Sequence, residues 1–567
     1  MKTRYILLGA LLALTMSGCN DFLNSDNLTK KNSSNFPKTE TDISQSLTGC
    51  YAMLRDFDDD AQNPFIISEL LSDDRFGGGG PDDRSAQAWD HFKKSDESMF
   101  NVLWSDEYAG IYRCNMLLEG LPNVTFSNEE TKNKAEGEAR FLRAYYYLNL
   151  GELFGNVPLV VKSDDGSKNL PQASADSLFA QIGSDLSTAV KLLPSTKYQD
   201  MDIANDLGHA TKWAAEALLA RAFLFYTGYY NKTTMGTVTK DEVVADLNDC
   251  IANSGHKLMP DFRNLWPYSN GYTKADYAYS KDNDLSWYGE NGDNAETIFA
   301  IRYSPNANWD GGYNAERNDA VCLFFSPRES DGSVANNFPL GIGWGWGTIS
   351  PKMIDEWKAA EPNDMRLKAS IFDVSDEAPN YAWGADKQMN ETGYWEKKYA
   401  AIDVKEGSGD DATYENFSRK LYSTVSTDYQ LNNVTDIVVL RFADVLLMQS
   451  ELTKTADGIN KVRARVGLEP IAAYSDQALQ NERRWELAFE GQRWFDLLRW
   501  HKAADALAKE DGVAVKDNMT DTTMKMSDIK QRVTDTGGFL QIPQKQIALS
   551  NGVLKQNAGW TGDNLLY

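Results

Sequence analysis

Between residues 38 and 226 the apolar positions repeat at helical spacing. Ile43, Leu47, Tyr51 and Leu54 fall on one face, and so do Ile111 and Leu118 with Asn115 between them. Leu142, Tyr146, Leu150 and Leu153 follow at intervals of four, four and three, until Gly155 and Pro158 stop that helix. In residues 211–226 the alanines Ala214, Ala215, Ala217, Ala220 and Ala222 crowd one helix, and small residues let helices approach closely. Paired helices of this kind predict a mainly α fold, a tetratricopeptide-like α-α superhelix, although no clean period of about 34 residues stands out.

Residues 260–350 break the pattern. Gly, Asn, Asp and aromatic residues dominate, with strand-like runs at 297–303 and 321–325. Loops of this length in a compact protein usually serve function. Helical spacing returns at 351–357, 438–451 and 476–508. The expected organisation is one helical domain over 36–567, carrying a loop-rich ligand region at about 260–350.

The N-terminus has a different pattern again. Lys2 and Arg4 precede an apolar run at 6–16 that is too short for a mature membrane span, and Ser17, Gly18 and Cys19 close it. Residues 1–18 read as a secretory signal. The cysteine after the small pair resembles the lipobox of bacterial lipoproteins, which implies acylation of Cys19, and the polar stretch over 19–35 then reads as a flexible leash. An ordinary signal peptide with Cys19 incidental is the alternative.

Charge narrows the partners. The formal charge is −25, or −27 once Lys2 and Arg4 leave with the signal, and no basic cluster offsets it. Nucleic acid and anionic lipid both require a basic footprint and are poor partners for this chain. Cys50, Cys114, Cys250 and Cys322 are widely spaced, with no CxxC pair, and read as buried free thiols, one disulfide remaining open.

Enzyme signatures are absent. His91, His209, His256 and His501 form no HExxH and no pair at ligand spacing, no GxSxG elbow or phosphate loop occurs, and the run GIGWGWG at 341–347 lacks the dinucleotide spacing. No cofactor and no metal site is expected. Asp56, Asp58 and Asp60 open like a calcium loop, but Ala61 replaces the turn glycine and Ile67 the bidentate Glu, so a solvated acidic loop is the better reading. A glycoside hydrolase needs only two well-placed carboxylates, and 82 acidic residues leave that alternative open.

Six segments carry a resemblance. They are 104–119 (WSDEYAGIYRCNMLLE), 137–161 (GEARFLRAYYYLNLGELFGNVPLVV), 440–451 (LRFADVLLMQSE), 460–468 (NKVRARVGL), 482–500 (ERRWELAFEGQRWFDLLRW) and 540–560 (LQIPQKQIALSNGVLKQNAGW). In this order, with CNDFL at 19–23, they resemble the SusD/RagB family of lipidated outer-membrane proteins of Bacteroidetes. The resemblance implies a cell-surface, oligosaccharide-binding lid on a SusC-like TonB-dependent transporter, with a glycan site made from loops and no catalysis. A relative that binds peptide or glycopeptide, as RagB-like proteins do, is the alternative. So is a lid with no ligand site. The segments themselves read as structural: Glu482, Glu486 and Glu490 lie beside Arg483, Arg484 and Arg493 at ion-pairing distance along a helix, and Tyr145, Tyr146 and Tyr147 read as packing.

Neutral sugars stack on aromatic rings, so loop-borne aromatics are the candidates for the site. The chain has 15 Trp and 26 Tyr; outside the helical segments stand Trp89, Trp266, Trp287, Tyr288, Trp309, Tyr313, Trp344 and Trp346. Trp344 and Trp346 are spaced i, i+2, which in an extended segment predicts a two-ring platform left uncovered by Gly343, Gly345 and Gly347. The family resemblance adds the segment 72–89, where Asp73 and Arg75 are candidate polar contacts, Trp89 is a stacking contact, and Gly77 to Gly80 let a ligand approach the backbone.

Overall fold

The computed structural model describes residues 36–55, 62–163, 169–292, 294–307, 319–328, 334–422 and 426–561. Cys19, the signal and leash segments, the Asp56–Asp58–Asp60 run, Trp309 and Tyr313 lie outside the described residues.

Helix α1 (Glu40–Ala52) opens on a reciprocal cap, Thr39 accepting from the Asp42 N–H and Asp42 from the Thr39 N–H. Then come α2 (Asn101–Gly120), α3 (Glu129–Phe154), α4 (Ala175–Leu192), α5 (Lys212–Tyr229) and α6 (Lys240–Asn253). Asn128, Ser174, Thr211 and Thr239 cap the last four, each accepting from the N–H three residues on. Each helix packs on the one before it, the arrangement of a tetratricopeptide-like superhelix. The five alanines of α5 are all buried. On α2, a Cβ at Gly110 would stand 2.6 Å from the ring of Tyr146 on α3, so that crossing depends on the missing side chain.

After α6 the chain leaves the array and returns nearly two hundred residues later. Helix α7 (Phe442–Thr453) packs against α6, α8 (Asp457–Arg465) against α7, and α9 (Asp476–Glu486) against both α7 and α8. The excursion is closed at its base by an antiparallel pair, β1 (Thr297–Ile301) and β2 (Ile437–Arg441), with Thr297 opposite Arg441 and Ile301 opposite Ile437. Phe299 of β1 reaches the scaffold at Phe141, ring centroids 4.9 Å apart.

Three local expectations differ. The run at 321–325 is a short helix (Ala320–Phe325), because Asp319 accepts from the Val321 N–H and starts a turn; an unbroken apolar run has no period by which to tell strand from helix. The segment at 438 begins as strand, its Ile437, Val438, Leu440 and Arg441 pairing with β1 before the helix starts at Phe442. The segment 476–508 is three helices, interrupted where Phe489 (φ 64°), Gly491 (φ 73°) and His501 (φ 55°) adopt left-handed backbone.

A buried ionic network ties the excursion to the scaffold. Arg441 contacts Glu296 at 2.8 Å, Glu490 at 2.6 Å and Glu486 at 2.5 Å, while Arg366 holds Asp364, Glu482 and Glu486 at 2.6–2.9 Å. Burial alone would push the Glu486 carboxyl up; the guanidiniums of Arg465, Arg441 and Arg366 outweigh it and hold that carboxyl well below its ordinary range. Cys50, Cys114, Cys250 and Cys322 are buried free thiols. Among the described residues no helix is long and apolar enough to cross a membrane.

Candidate functional site

The glycines of 77–80 and 343–347 form a ribbon together. Phe76 N–H donates to Thr348, Gly79 N–H to the Gly345 carbonyl at 2.7 Å, and Gly347 N–H to Gly77. Gly78 has φ +68°, and a Cβ there would lie 2.4 Å from the Gly345 oxygen; Gly345 has φ +75°, and a Cβ there would overlap Gln388. The glycines therefore serve backbone approach within the protein.

That same left-handed Gly345 removes the platform expected from Trp344 and Trp346. The alternation of side chains holds only for extended backbone, and here the chain wraps the end of the Ala320–Phe325 helix, Trp344 N–H donating to Leu323 and Trp346 N–H to Phe324. Both indoles pack on Phe324 with centroids 4.7 Å away, from different directions. Trp346 is 4% exposed and meets Trp89 edge to face, and Trp89, 1% exposed, stacks on Phe100. These two tryptophans are core. Trp344 stays half-buried, at the rim of a cleft.

The cleft, about 490 Å³, runs between the loop 80–83, Trp344, the turn at Asp386 and Lys387, and Tyr429. Arg328 is its brace: Nη1 donates to Asp83 and to the Trp344 carbonyl, both at 2.9 Å, and Nη2 to Asp386 at 2.7 Å. Its Nε is buried with no partner among the described residues. Asp386 and Lys387 have φ of 43° and 61°, sparsely populated values for residues with side chains, and both are exposed. Asp82, Asp83 and Asp386 against Arg328 and Lys387 leave the lining close to charge balance. A half-buried indole over such a lining suits an uncharged ligand that stacks a ring and exchanges hydrogen bonds with fixed groups.

Asp73 and Arg75 are placed elsewhere. Asp73, 4% exposed, is held by Arg493 at 2.7 Å and by Arg484; burial raises its carboxyl and those two guanidiniums more than reverse that. Arg75, 1% exposed, donates to Glu69 and the Gly347 carbonyl and lies between the rings of Phe325 and Phe489. Both are structural, because a charge in the interior is tolerated only with partners on every side. Trp287 is half-buried, edge-on to Phe417, and with Trp266 lines a different cavity. Tyr288 accepts from the Asp261 N–H. Arg328, the adjacent pair Asp386 and Lys387, and Tyr429 stand far apart in the chain and in no motif, so nothing in the sequence signals them; Asp83 lies within 72–89, beside the candidates Asp73 and Arg75.

An α-α superhelix whose long excursion and 80–83 loop enclose a cleft rimmed by Trp344 defines the class: a helical-repeat protein elaborated by loops outside the array. Residues 295–560 match the family model described as the SusD family, and residues 21–224 match one described as "Starch-binding associating with outer membrane". The chain belongs to the SusD family. It is 24% identical over 543 residues to SusD-like protein P25 of Formosa agariphila, covering 88% of this chain and 90% of that one. A SusD-like protein of Bacteroides ovatus is 23% identical over 417 residues, covering 70% and 65%. Among solved structures, a "Laminarin binding SusD-like protein" superposes with TM-score 0.70 at 25% identity, over 92% of this chain and 100% of that one. Surface glycan-binding protein A from Bacteroides fluxus also gives 0.70, at 26% identity and the same coverage.

Proposed function

We propose that this chain is a non-catalytic glycan-binding protein of the cell surface, whose cleft beside Trp344 captures a neutral oligosaccharide. The observation that carries the reading is the half-buried Trp344 indole at the rim of a cleft braced by Arg328 and near charge balance. The names of its relatives support it: one structural neighbour is called laminarin-binding, and surface glycan-binding protein A from Bacteroides thetaiotaomicron was solved in complex with laminarihexaose. Capture without cleavage is favoured because Asp83 and Asp386 are both spent on one guanidinium, which leaves Asp82 as the remaining carboxylate of the lining, whereas a glycosidase needs one free carboxyl acid and one free base or nucleophile.

In this reading residues 1–18 are a signal, Cys19 is acylated and holds the protein at the outer membrane, 19–35 form a leash, and 36–567 act as a single binding unit. The protein serves as the lid of a TonB-dependent transporter, and bound oligosaccharide favours the closed lid by its differential affinity for that state. Trp309 and Tyr313 belong to the ligand-reading region as further stacking candidates.

The test is affinity electrophoresis and calorimetry of the full chain against laminarin, starch, xylan and a peptide digest, alongside Trp344→Ala and Tyr429→Ala. Binding to one neutral polysaccharide that weakens in the folded variants is the expected result. Binding to peptides and to no polysaccharide overturns it in favour of a peptide-binding relative.

A further inference from the structure

A second groove, about 640 Å³ against about 490 Å³ for the cleft at Trp344, opens on the helical frame, and the two share no lining residue. Its size falls within the roughly 300–1,000 Å³ of ligand sites. Four helices contribute to its walls: Pro351–Ala360, α9, Arg493–Arg499 and Ala503–Leu507. On α9 the residues Gln477, Gln480, Asn481 and Arg484 fall at the spacing of one helix face, and all four line the groove. The half-buried Trp500, just past the end of the Arg493–Arg499 helix, lines it too.

The charges of this lining are already matched. Asp73 holds Arg493 at 2.7 Å, Glu356 holds Arg484 at 2.5 Å and Lys509 at 3.5 Å, and Asp505 holds Lys530 at 2.6 Å. Of the lining charges only Lys502 has no carboxylate within ion-pairing distance among the described residues, and its ammonium donates to the Gln480 carbonyl. The amides are not spent. Gln477 Nε2 donates to Asn481 Oδ1 at 2.7 Å, which leaves the Gln477 carbonyl and the amide nitrogens of Gln480 and Asn481 without a protein partner among the described residues. These groups are open to a ligand: Gln477 is exposed, and the two nitrogens are in contact with solvent. Trp500 is fixed, its Nε1 donating to Glu451 at 3.2 Å and the Arg499 guanidinium lying 4.7 Å from its ring centroid. With the nitrogen taken, the indole offers the groove carbon surface alone.

Free carbonyl and N–H groups beside a fixed ring, with one ammonium as the only unmatched charge, suit an uncharged ligand that donates and accepts hydrogen bonds and stacks a ring. A peptide fits less well. Strand addition needs a sheet edge, and none of the lining residues lies in a strand; a docked helix needs an apolar groove, and a polyproline segment needs one lined with aromatics. We propose that this groove is a second carbohydrate site, which holds a stretch of neutral glycan with a sugar ring on Trp500 and hydroxyls on Gln477, Gln480 and Asn481. The proposal rests on the reading of the chain as a glycan binder and not on the choice of the cleft at Trp344.

The experiment counts hexasaccharides bound to the full chain by native mass spectrometry and calorimetry, using laminarihexaose, maltohexaose, cellohexaose and xylohexaose, with an alginate hexamer and a peptide digest alongside. The expected result is two molecules of one neutral hexasaccharide per chain. Trp344→Ala should keep one of these sites at its native affinity, and adding Trp500→Ala should weaken that site by about tenfold or more. Gln477→Ala/Asn481→Ala, on the surface of a helix that alanine favours, should weaken it about tenfold, the worth of one or two hydrogen bonds, and decides the matter should Trp500→Ala fail to fold. A site left by Trp344→Ala that ignores both sets of changes overturns the proposal, as does a groove that takes the alginate hexamer or peptides and no neutral hexasaccharide. One molecule per chain, weakened by the groove variants and not by Trp344→Ala, upholds the groove and overturns the cleft; the reverse pattern upholds the cleft and overturns the groove. A chain that binds none of the hexasaccharides overturns both.

Discussion

Replacing Trp344 by Ala removes the one indole that the cleft presents to solvent while leaving its polar brace in place. Arg328 donates to the Trp344 backbone carbonyl, which Ala retains, so the guanidinium has no reason to move. A stacked sugar covers roughly 60–80 Å² of a tryptophan, which is most of the exposed part of this half-buried side chain. At about 25 cal/mol/Å² that contact is worth ~1.5–2 kcal/mol, or about 12- to 30-fold in Kd. Calorimetry with an oligosaccharide of the bound polysaccharide measures it directly. A fold control is needed because the ring also packs edge-on against Phe324; being half-buried, it should cost less than the ~3–5 kcal/mol of a fully buried Trp→Ala change. A Trp344→Ala protein that unfolds at nearly the native urea midpoint, yet binds within twofold of the native affinity, refutes the stacking argument and with it the choice of cleft.

Trp346→Ala should give the converse, a loss of about 3–5 kcal/mol in urea unfolding because the ring is 4% exposed between Phe324 and Trp89. Arg441→Met takes one guanidinium from Glu296, Glu486 and Glu490, which keep only Arg465, Arg366 and Lys398, and should destabilise by about 3 kcal/mol, the lower end for a broken buried pair, read from the same midpoint at pH 7. Glu152 is raised to about 8 by burial, against which Arg221 and Arg499 pull only partly. Its folded pKa thus lies above the unfolded one, so the folded state holds a proton the unfolded chain has lost, and stability falls as pH rises from about 4.5 to 8. Glu152→Gln should accordingly stabilise at pH 8 and make little difference near pH 4.5, seen as a midpoint gain that shrinks on acidification. Gly78→Ala forces a Cβ against the Gly345 carbonyl at a positive φ and should both destabilise the ribbon and weaken glycan binding in affinity gels.

Much of the scaffold could be read from sequence because its helices announce themselves by spacing and cap: Leu142, Tyr146, Leu150 and Leu153 lie on α3 and are all buried, and Gly155 ends it. For the ionic network the acids were legible and the pairing was not: Glu482, Glu486 and Glu490 pair with Arg366, Arg441 and Arg465 from elsewhere in the chain, while Arg483, Arg484 and Arg493, expected beside them, turn to Asp444, Asp496, Asp74 and Asp73. The cleft was not legible in this way. Its lining is gathered from five stretches between residues 80 and 429, and no spacing rule relates Arg328 to Asp83 or Asp386. Trp344 and Trp346 show the limit most directly. Alternation predicts that they point together, and one glycine in the left-handed region between them sends one into the core.

The pairing of β1 with β2 brings Thr297 opposite Arg441, so a stretch of well over a hundred residues begins and ends at one spot on the scaffold. Such an excursion can change length, loop order and side chains between its fixed ends without disturbing the register of the helices that flank it. Selection acting on what is captured is thereby separated from selection on the frame. The expected signature is a lineage whose members keep the α1–α9 frame while exchanging the segment between 302 and 436, and a chimera that takes this segment together with the loop 80–83, which supplies Asp83 to the cleft, should inherit the ligand preference of the donor.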